Sequence, residues 1–160
     1  MKNLGELQVN EYMTCQAVCI NASDRLTEAI QIMDDEGLSV LPVINHQRRL
    51  VGILSTSDLV EITHELQSDI TSMSQMRDTT RRFLIKLLIE QGDKTLVRDV
   101  MTSPVETISP QSNLVVAARK IADRRYHHLP VVDESGTPVG MLSTKDFVRA
   151  IADHGALLAG

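Results

Sequence analysis

The chain has 160 residues, a formal net charge of −5 at pH 7, 42% hydrophobic residues, 23% charged residues, 2% aromatic residues and no Trp. That length suits one compact domain or two small ones, with a core built from Leu, Ile, Val, Met and Ala. The acidic balance gives no phosphate-backbone footprint and the few rings leave little for bases to stack on, so nucleic acid is not an expected partner.

The opening stretch, "MKNLGELQVNEYMT", lacks the apolar run of a secretory signal. Cys15 and Cys19 are the only cysteines. They make no disulfide framework, and no second Cys/His pair sits at ligand spacing, so a metal site is not expected. A reducing cytoplasm is the expected location. "AVCI" at residues 17–20 reads as a short strand. A helix follows over "RLTEAIQIMDDEG", where Leu26, Ala29, Ile30 and Met33 keep the i, i+3, i+4, i+7 spacing of an amphipathic face. Gly37 suits the left-handed position just past a helix end. "LPVI" and "LVGILS", joined by "NHQRR", read as antiparallel strands across a short turn. A second helix starts at Ser55 and runs through "SDLVEITHEL".

Residues 67–96 then carry Ile70, Met73, Met76, Thr80, Phe83, Leu84, Leu87 and Leu88 near helical spacing. They predict a long helix, with a break near "TSMS" and a stop at Gly92. Its apolar face is read as packing against its own domain or a sister subunit. Arg77, Arg81, Arg82 and Lys86 beside "FLIKLLI" would suit a membrane surface, but Asp78 and Glu90 dilute that basic face. "FLIKLLI" is too short to span a bilayer, and Lys86 interrupts it.

After this insert the first pattern returns. Met13 and Met101, Pro42 and Pro130, Gly52 and Gly140, and Asp58 and Asp146 each lie 88 positions apart. The register holds without a gap over residues 9–63 and 97–151, so the chain is an internal duplication. "VETI", "NLVVAARKIADRR", "LPVV", "VGMLS" and "KDFVRAIADH" repeat the strand, helix, strand, strand, helix order. The second copy has Arg125 where the first has Gly37, so its first helix ends without glycine. The fold class is mixed α/β (α+β), with two β-α-β-β-α repeats. Residues 1–66 form the first repeat, 67–96 the insert, 97–154 the second repeat and 155–160 a tail. One such unit has a marginal core alone, and two packing sheet faces together would remove that weakness.

The motif with chemistry is Gly52-Ile53-Leu54-Ser55-Thr56-Ser57-Asp58 and its copy Gly140-Met141-Leu142-Ser143-Thr144-Lys145-Asp146. A strand ends and a helix begins with hydroxyls and a carboxylate. Ser-x-x-Asp is also the pattern of a capping box, in which serine and acid satisfy the helix start. The functional alternative uses the same geometry: N–H groups at a helix start attract phosphate. The carboxylate can accept from the vicinal hydroxyls of a ribose, and Leu41 and Val43, or Leu129 and Val131, offer an apolar wall to an adenine ring. No Gly-x-x-x-x-Gly-Lys-Ser/Thr phosphate loop, no nucleophile with a recognisable base and no paired carboxylates with a cleft argument are found, so an enzyme is not expected. His64-Glu65 has no second His at the metalloprotease spacing.

With "VNEYMT", "LPVI" and "VGILSTSDLV" repeated as "VRDVMT", "LPVV" and "VGMLSTKDFV", the chain resembles tandem CBS (cystathionine-β-synthase) domains, a Bateman module, over about residues 9–63 and 97–152. The resemblance implies two repeats about a pseudo-twofold axis, with clefts that take AMP, ADP, ATP or S-adenosylmethionine as regulatory ligands rather than required cofactors. Asp58 and Asp146 inherit a ribose contact. Ser55, Thr56 and Ser57, and Ser143, Thr144 and Lys145, inherit places near phosphate. Leu41, Pro42 and Val43, and His128, Leu129, Pro130 and Val131, inherit the cleft wall. The stretch before each first strand completes the other copy's site, which nominates Thr14 to Ala17 opposite Asp146 and Thr102 to Val105 opposite Asp58.

The copies differ where a ligand would notice. Lys145 stands for Ser57, and His127-His128 stands for Ser39-Val40. A lysine is a mobile point charge suited to phosphate. Adjacent residues on a strand point to opposite faces, so at most one of the two histidines is a ligand contact. Phosphorylated ligands are expected at Asp146, and a less charged adenosyl ligand at Asp58. The leading reading is a regulatory module that signals through self-association as a homodimer or through a separate effector protein. The alternative is a structural dimerisation unit with degenerate sites.

Overall fold

The computed structural model describes residues 4–66, 94–124 and 127–154. In chain order the elements are α1 (Val9–Tyr12), β1 (Thr14–Cys15), β2 (Ile20–Asn21), α2 (Leu26–Asp35), β3 (Val40–Ile44), β4 (Leu50–Ser55), α3 (Thr56–Leu66), α4 (Leu114–Arg124), β5 (His128–Val132), β6 (Pro138–Ser143) and α5 (Thr144–His154). Single 3-10 turns lie at Leu4–Glu6 and Val97–Asp99. The class is α+β, as the repeated pattern predicts. The helix expected in the insert falls on residues 67–93, outside the described residues, as does Arg125. Among the described residues no helix is long and apolar enough to cross a membrane.

The local rules read from the sequence account for most elements. In α2 the four periodic residues Leu26, Ala29, Ile30 and Met33 are all buried. The helix ends where Gly37 takes φ +64°, and the Leu38 N–H reaches back to the Met33 carbonyl at 2.8 Å. Gly136 takes φ +82° in the β5–β6 turn, and the corresponding position of the β3–β4 turn is filled by Arg48 at φ +62°. A side chain there costs on the order of 1 kcal/mol. Both first strands are shorter than expected. β2 keeps only Ile20 and Asn21, parallel to β3 with Ile20 opposite Val43. "VETI" contributes a single bridge, Ile108 to Val131. Just ahead of them the backbone turns at Gln16, with φ +55°, and at Pro104, which has no N–H to give a ladder.

The chain folds as two compact units, and neither coincides with one repeat. One takes residues 1–18, 47–50 and 105–160; the other takes 19–46 and 51–104. The sheet of the first is ordered β1-β6-β5, that of the second β2-β3-β4. The stretch ahead of each repeat's first strand, its leader, is built into the unit of the other repeat. In the first unit, the N–H groups of Val9 and Asn10 bond to the carbonyls of Ser112 and Pro110, and Leu114 N–H bonds to the Leu7 carbonyl, all at 2.9 Å. In the second, Val97, Arg98 and Leu26 make the same three bonds to Asp24, Ala22 and Thr95 at 2.9, 3.0 and 2.9 Å.

Burial holds the leaders more firmly than these bonds do. Leu7 and Val9 are fully buried with Leu114, Leu129, Val131 and Leu142; Val97 is fully buried with Leu26, Ile30, Leu41 and Leu54. Each such side chain is worth roughly 1.5–3 kcal/mol, against a net of about 1 kcal/mol for a backbone hydrogen bond.

The leader then runs beside a glycine. Thr14 and Cys15 pair antiparallel with Met141 and Gly140, and Thr102 bridges Ile53. A β-carbon on Gly140 would lie 2.7 Å from both Met13 Sδ and the Thr14 carbonyl oxygen. One on Gly52 would lie 2.7 Å from Met101 Sδ and 2.9 Å from the Thr102 carbonyl oxygen. Met-Thr and Gly-h-h-Ser-x-x-Asp, where h is apolar, are therefore two halves of one contact in each unit. Gly140→Ala should force the leader off β6 and cost roughly 1–3 kcal/mol, read as a lowered melting temperature. Gly5→Ala, which meets nothing within 4 Å, is the matched control and should leave the melt nearly unchanged.

Candidate functional site

Each repeat places its acid at the start of its last helix. Asp58 Oδ2 accepts from the Ser55 N–H and hydroxyl, both at 2.6 Å. Asp146 Oδ2 accepts from the Ser143 N–H at 2.7 Å and the Ser143 hydroxyl at 2.9 Å. This is the acid half of the capping box, formed in both copies. The capping reading thus holds for the acid in both copies and for the serine in the first, where the Asp58 N–H donates to Ser55 Oγ at 3.4 Å, and it leaves the other oxygen to do something else.

That second oxygen has a different partner in each unit. Asp58 Oδ1 accepts from the Thr102 hydroxyl at 2.7 Å. Asp146 Oδ1 accepts from Arg149 Nη2 at 3.1 Å. Each carboxylate offers about four lone-pair positions, and these bonds use three. One acceptor position therefore remains on each Oδ1, and the serine hydroxyl beside it can rotate to accept as well. Two adjacent acceptors of that kind match a vicinal diol.

The remaining nominated residues divide clearly. Thr56, Ser57, Thr144 and Lys145 are exposed on the first helical turn, and Ser55 and Ser143 are half-buried at the strand ends. Thr14 and Thr102 are exposed on the leaders, with Ala17 and Val105 partly buried beyond them. Two expectations need correction. The helix-start N–H groups are not all open to a phosphate. Thr56 N–H bonds to the Ser39 carbonyl at 3.0 Å and Thr144 N–H to the His127 carbonyl at 3.2 Å, as a strand that turns directly into a helix requires. Leu41, Val43, Leu129 and Val131 show 0% exposure, and Pro42 and Pro130 are buried as well. These side chains pack the cores and do not form an open wall. Consecutive residues of β3 and β5 are buried, so both faces of these strands are covered.

His128 does reach the site. It lies directly across the ladder from Ser143 and is half-buried, while His127 is exposed. Burial pushes the His128 pKa below the usual imidazole value, the neighbouring His127 and Lys145 push the same way, and Asp146 opposes them. The folded chain then binds fewer protons at this ring than the unfolded chain. The stability His128 confers is complete above the unfolded pKa of about 6.5 and is lost as pH falls from there toward the lowered folded value. Denaturant melts between pH 7.5 and 5 should show this loss, and His128→Gln should flatten it.

Arg149 was not among the residues nominated from the sequence. Its signal was present: it follows Asp146 by three positions on a helix, a spacing that brings opposite charges together. Its guanidinium also donates to the Tyr12 backbone carbonyl and lies 5.8 Å from the centre of the Tyr12 ring. Among the described residues, no cluster of three His, Cys, Asp or Glu side chains could hold a metal ion.

The CBS domain profile matches residues 9–65 and 97–153. The protein MJ1426 of Methanocaldococcus jannaschii is 27% identical over 156 residues, covering 92% of this chain and 93% of its own length. The chloroplastic CBS domain-containing protein CBSX1 of Arabidopsis thaliana is 28% identical across 91% of this chain, which spans 64% of that longer protein. Among solved structures, CBSX2 in complex with AMP matches at TM-score 0.70 and 26% identity, over 92% of this chain and 98% of that one. The CBS domain pair of MJ0100, solved with 5-methylthioadenosine and S-adenosyl-L-methionine, shares the fold at TM-score 0.67 and 19% identity, over 92% and 98%.

Proposed function

Because this chain belongs to the CBS domain family, we propose that it is a regulatory module that senses adenosine-containing ligands at its two Ser-x-x-Asp sites. The observation that carries the reading is the acid found twice at a helix start, each with only one hydrogen bond on Oδ1 among the described residues and a serine hydroxyl bonded to Oδ2 beside it. The AMP complex of CBSX2, 26% identical to this chain, supports an adenosine ligand. Asp58 and Asp146 hold ribose. Ser55, Thr56 and Ser57, and Ser143, Thr144 and Lys145, lie toward phosphate, with Thr14 to Ala17 and Thr102 to Val105 completing the sites. The output is a change in self-association or in the binding of an effector protein. Such coupling needs a ligand that prefers one state over another. The reading is of a cytoplasmic homodimer that binds its nucleotide without turning it over.

The two sites differ in charge. Around Asp146 stand Lys145, Arg149 and the half-buried His128; the same positions in the first repeat are Ser57, Glu61 and Val40. AMP and ATP accordingly bind tighter at Asp146, and Asp58 takes a less charged ligand such as S-adenosylmethionine. Calorimetric titration with AMP and ATP tests this. Asp146→Asn should abolish the tighter event, Asp58→Asn should spare it, and Lys145→Ser should weaken ATP about tenfold, the loss of one charge-assisted contact. The opposite ranking of the two aspartates sinks the assignment, and robust ATP hydrolysis lost in Asp146→Asn would recast the protein as an enzyme.

A second reading, a dimerisation unit with idle sites, draws on one feature. Leu114, Val115, Ala118, Phe147, Ala150 and Ile151 line an apolar groove of about 140 Å³ between α4 and α5, and Val148 beside it is 67% exposed. No melting shift with AMP, ADP, ATP or S-adenosylmethionine, in a chain that sediments as a stable dimer, would favour that reading.

A further inference from the structure

The two leaders are tied to their acids by different chemistry. In the second unit the tie is direct, since the Thr102 hydroxyl on the leader donates to Asp58 Oδ1 at 2.7 Å. In the first unit the corresponding leader residue is Thr14, and Asp146 Oδ1 is held instead by Arg149. The same Arg149 nitrogen donates to the carbonyl of Tyr12, the last residue of α1. Tyr12 is 8% exposed, packs its ring under the guanidinium, and places its hydroxyl 2.9 Å from His154 Nε2. Two residues on, β1 begins at Thr14 and pairs with β6. At the positions of Arg149, Tyr12 and His154 the first repeat has Glu61, Val100 and Leu66, which cannot make this chain of contacts.

We propose that Arg149 is a positioning residue of the Asp146 site, tying the acid to the leader so that a ligand on Asp146 and the docking of residues 9–17 stabilise each other. This rests on the reading of Asp146 as a diol acceptor. The coupling is positive because the diol does not have to displace the arginine. Ser143 fills Oδ2, Arg149 takes one position on Oδ1, and one remains, with the serine oxygen next to it. A ligand seated there also excludes water from the Arg149–Asp146 pair, now 56% and 8% exposed, and a drier pair interacts more strongly. The fork of a guanidinium can serve two acceptors while lying on a ring; an ammonium cannot reproduce that geometry. By linkage, whatever tightens the leader tightens the ligand by the same factor.

Amide hydrogen exchange of the full chain with and without AMP tests this, with calorimetry of AMP on the same samples. In the wild type AMP should slow exchange at Tyr12–Cys15 by about tenfold, a typical coupling. Arg149→Lys should keep part of that effect. Arg149→Gln should lose it, bind AMP about tenfold more weakly, and exchange faster at Tyr12–Cys15 even without ligand. The core amides of Leu129 and Val131 should be unchanged, which shows that the variant is folded. Wild-type binding of AMP without protection at Tyr12–Cys15, or full protection in Arg149→Gln, overturns the coupling alone. A wild type that binds no AMP overturns the diol reading itself, and the coupling falls with it.

Discussion

At Gly140 and Gly52 the backbone of a leader comes so close that a single added carbon would lie 2.7 Å from a methionine sulfur. Both candidate sites depend on that approach. It lets the leader's Met-Thr run beside the strand whose last residue is the serine of Ser-x-x-Asp. It brings Thr102 within 2.7 Å of Asp58 and Tyr12 within reach of Arg149. Because each unit contains the leader of the other repeat, neither repeat encodes a closed unit by itself. Leu7 and Val9 supply core to residues more than 100 positions away, and Val97 supplies it to Leu26 and Leu41 in the earlier repeat. The duplication is thus required by packing: one copy would have an unfilled core and an acid without its neighbour.

Under the proposed reading, each carboxylate serves stability and recognition together. Oδ2 of each acid closes the first turn of the last helix, a role worth about 1 kcal/mol in typical caps. That bond also orients Oδ1 without any ligand. A site built this way is preorganised, since the rotamer that binding requires is the one that folding already selects. It follows that removing either acid weakens the fold as well as the site. Replacement by asparagine separates the two better than alanine, because the amide keeps the shape and one acceptor oxygen.

Much of this was legible in the sequence, for physical reasons that can be named. The periodic apolar face of α2, the left-handed Gly37 and the strand bounds of β4 are local consequences of nearby residues, and they came out as read. The short first strands did not. Their length is decided by turns at Gln16 and Pro104 and by the pairing of the preceding residues with another segment, which no local window reports. Leu41 and Val43 were misjudged for a related reason. An apolar strand reads the same whether its second face meets a ligand or more protein, and only the tertiary structure shows 0% exposure. Arg149 was overlooked because its more informative partner, the Tyr12 carbonyl, lies 137 positions away.

Comparison of the copies separates the residues that hold the fold from those free to change. Leu26 and Leu114, Ala29 and Ala117, Leu41 and Leu129, Val43 and Val131, Leu54 and Leu142, and Val9 and Val97 are identical or nearly so and are buried in both units. A core at organic-crystal density tolerates little else. Among the divergent pairs, Ser57 with Lys145, Glu61 with Arg149 and Val40 with His128, Lys145 adjoins Asp146 in the chain, Arg149 bonds to it and His128 faces Ser143 across the ladder. Ser57 to Lys145 and Glu61 to Arg149 each move the charge in the positive direction, while His128, whose pKa burial lowers, adds a half-buried polar ring. Under the proposed reading, a preference for an anionic ligand at Asp146 accounts for that shared sign. The first repeat sets its acid beside the Thr102 hydroxyl with Glu61 three residues on, so under the proposed reading it favours an uncharged or cationic adenosyl group over a phosphate. The duplicated framework therefore repeats one arrangement of serine and acid, with a more basic surround at Asp146 than at Asp58.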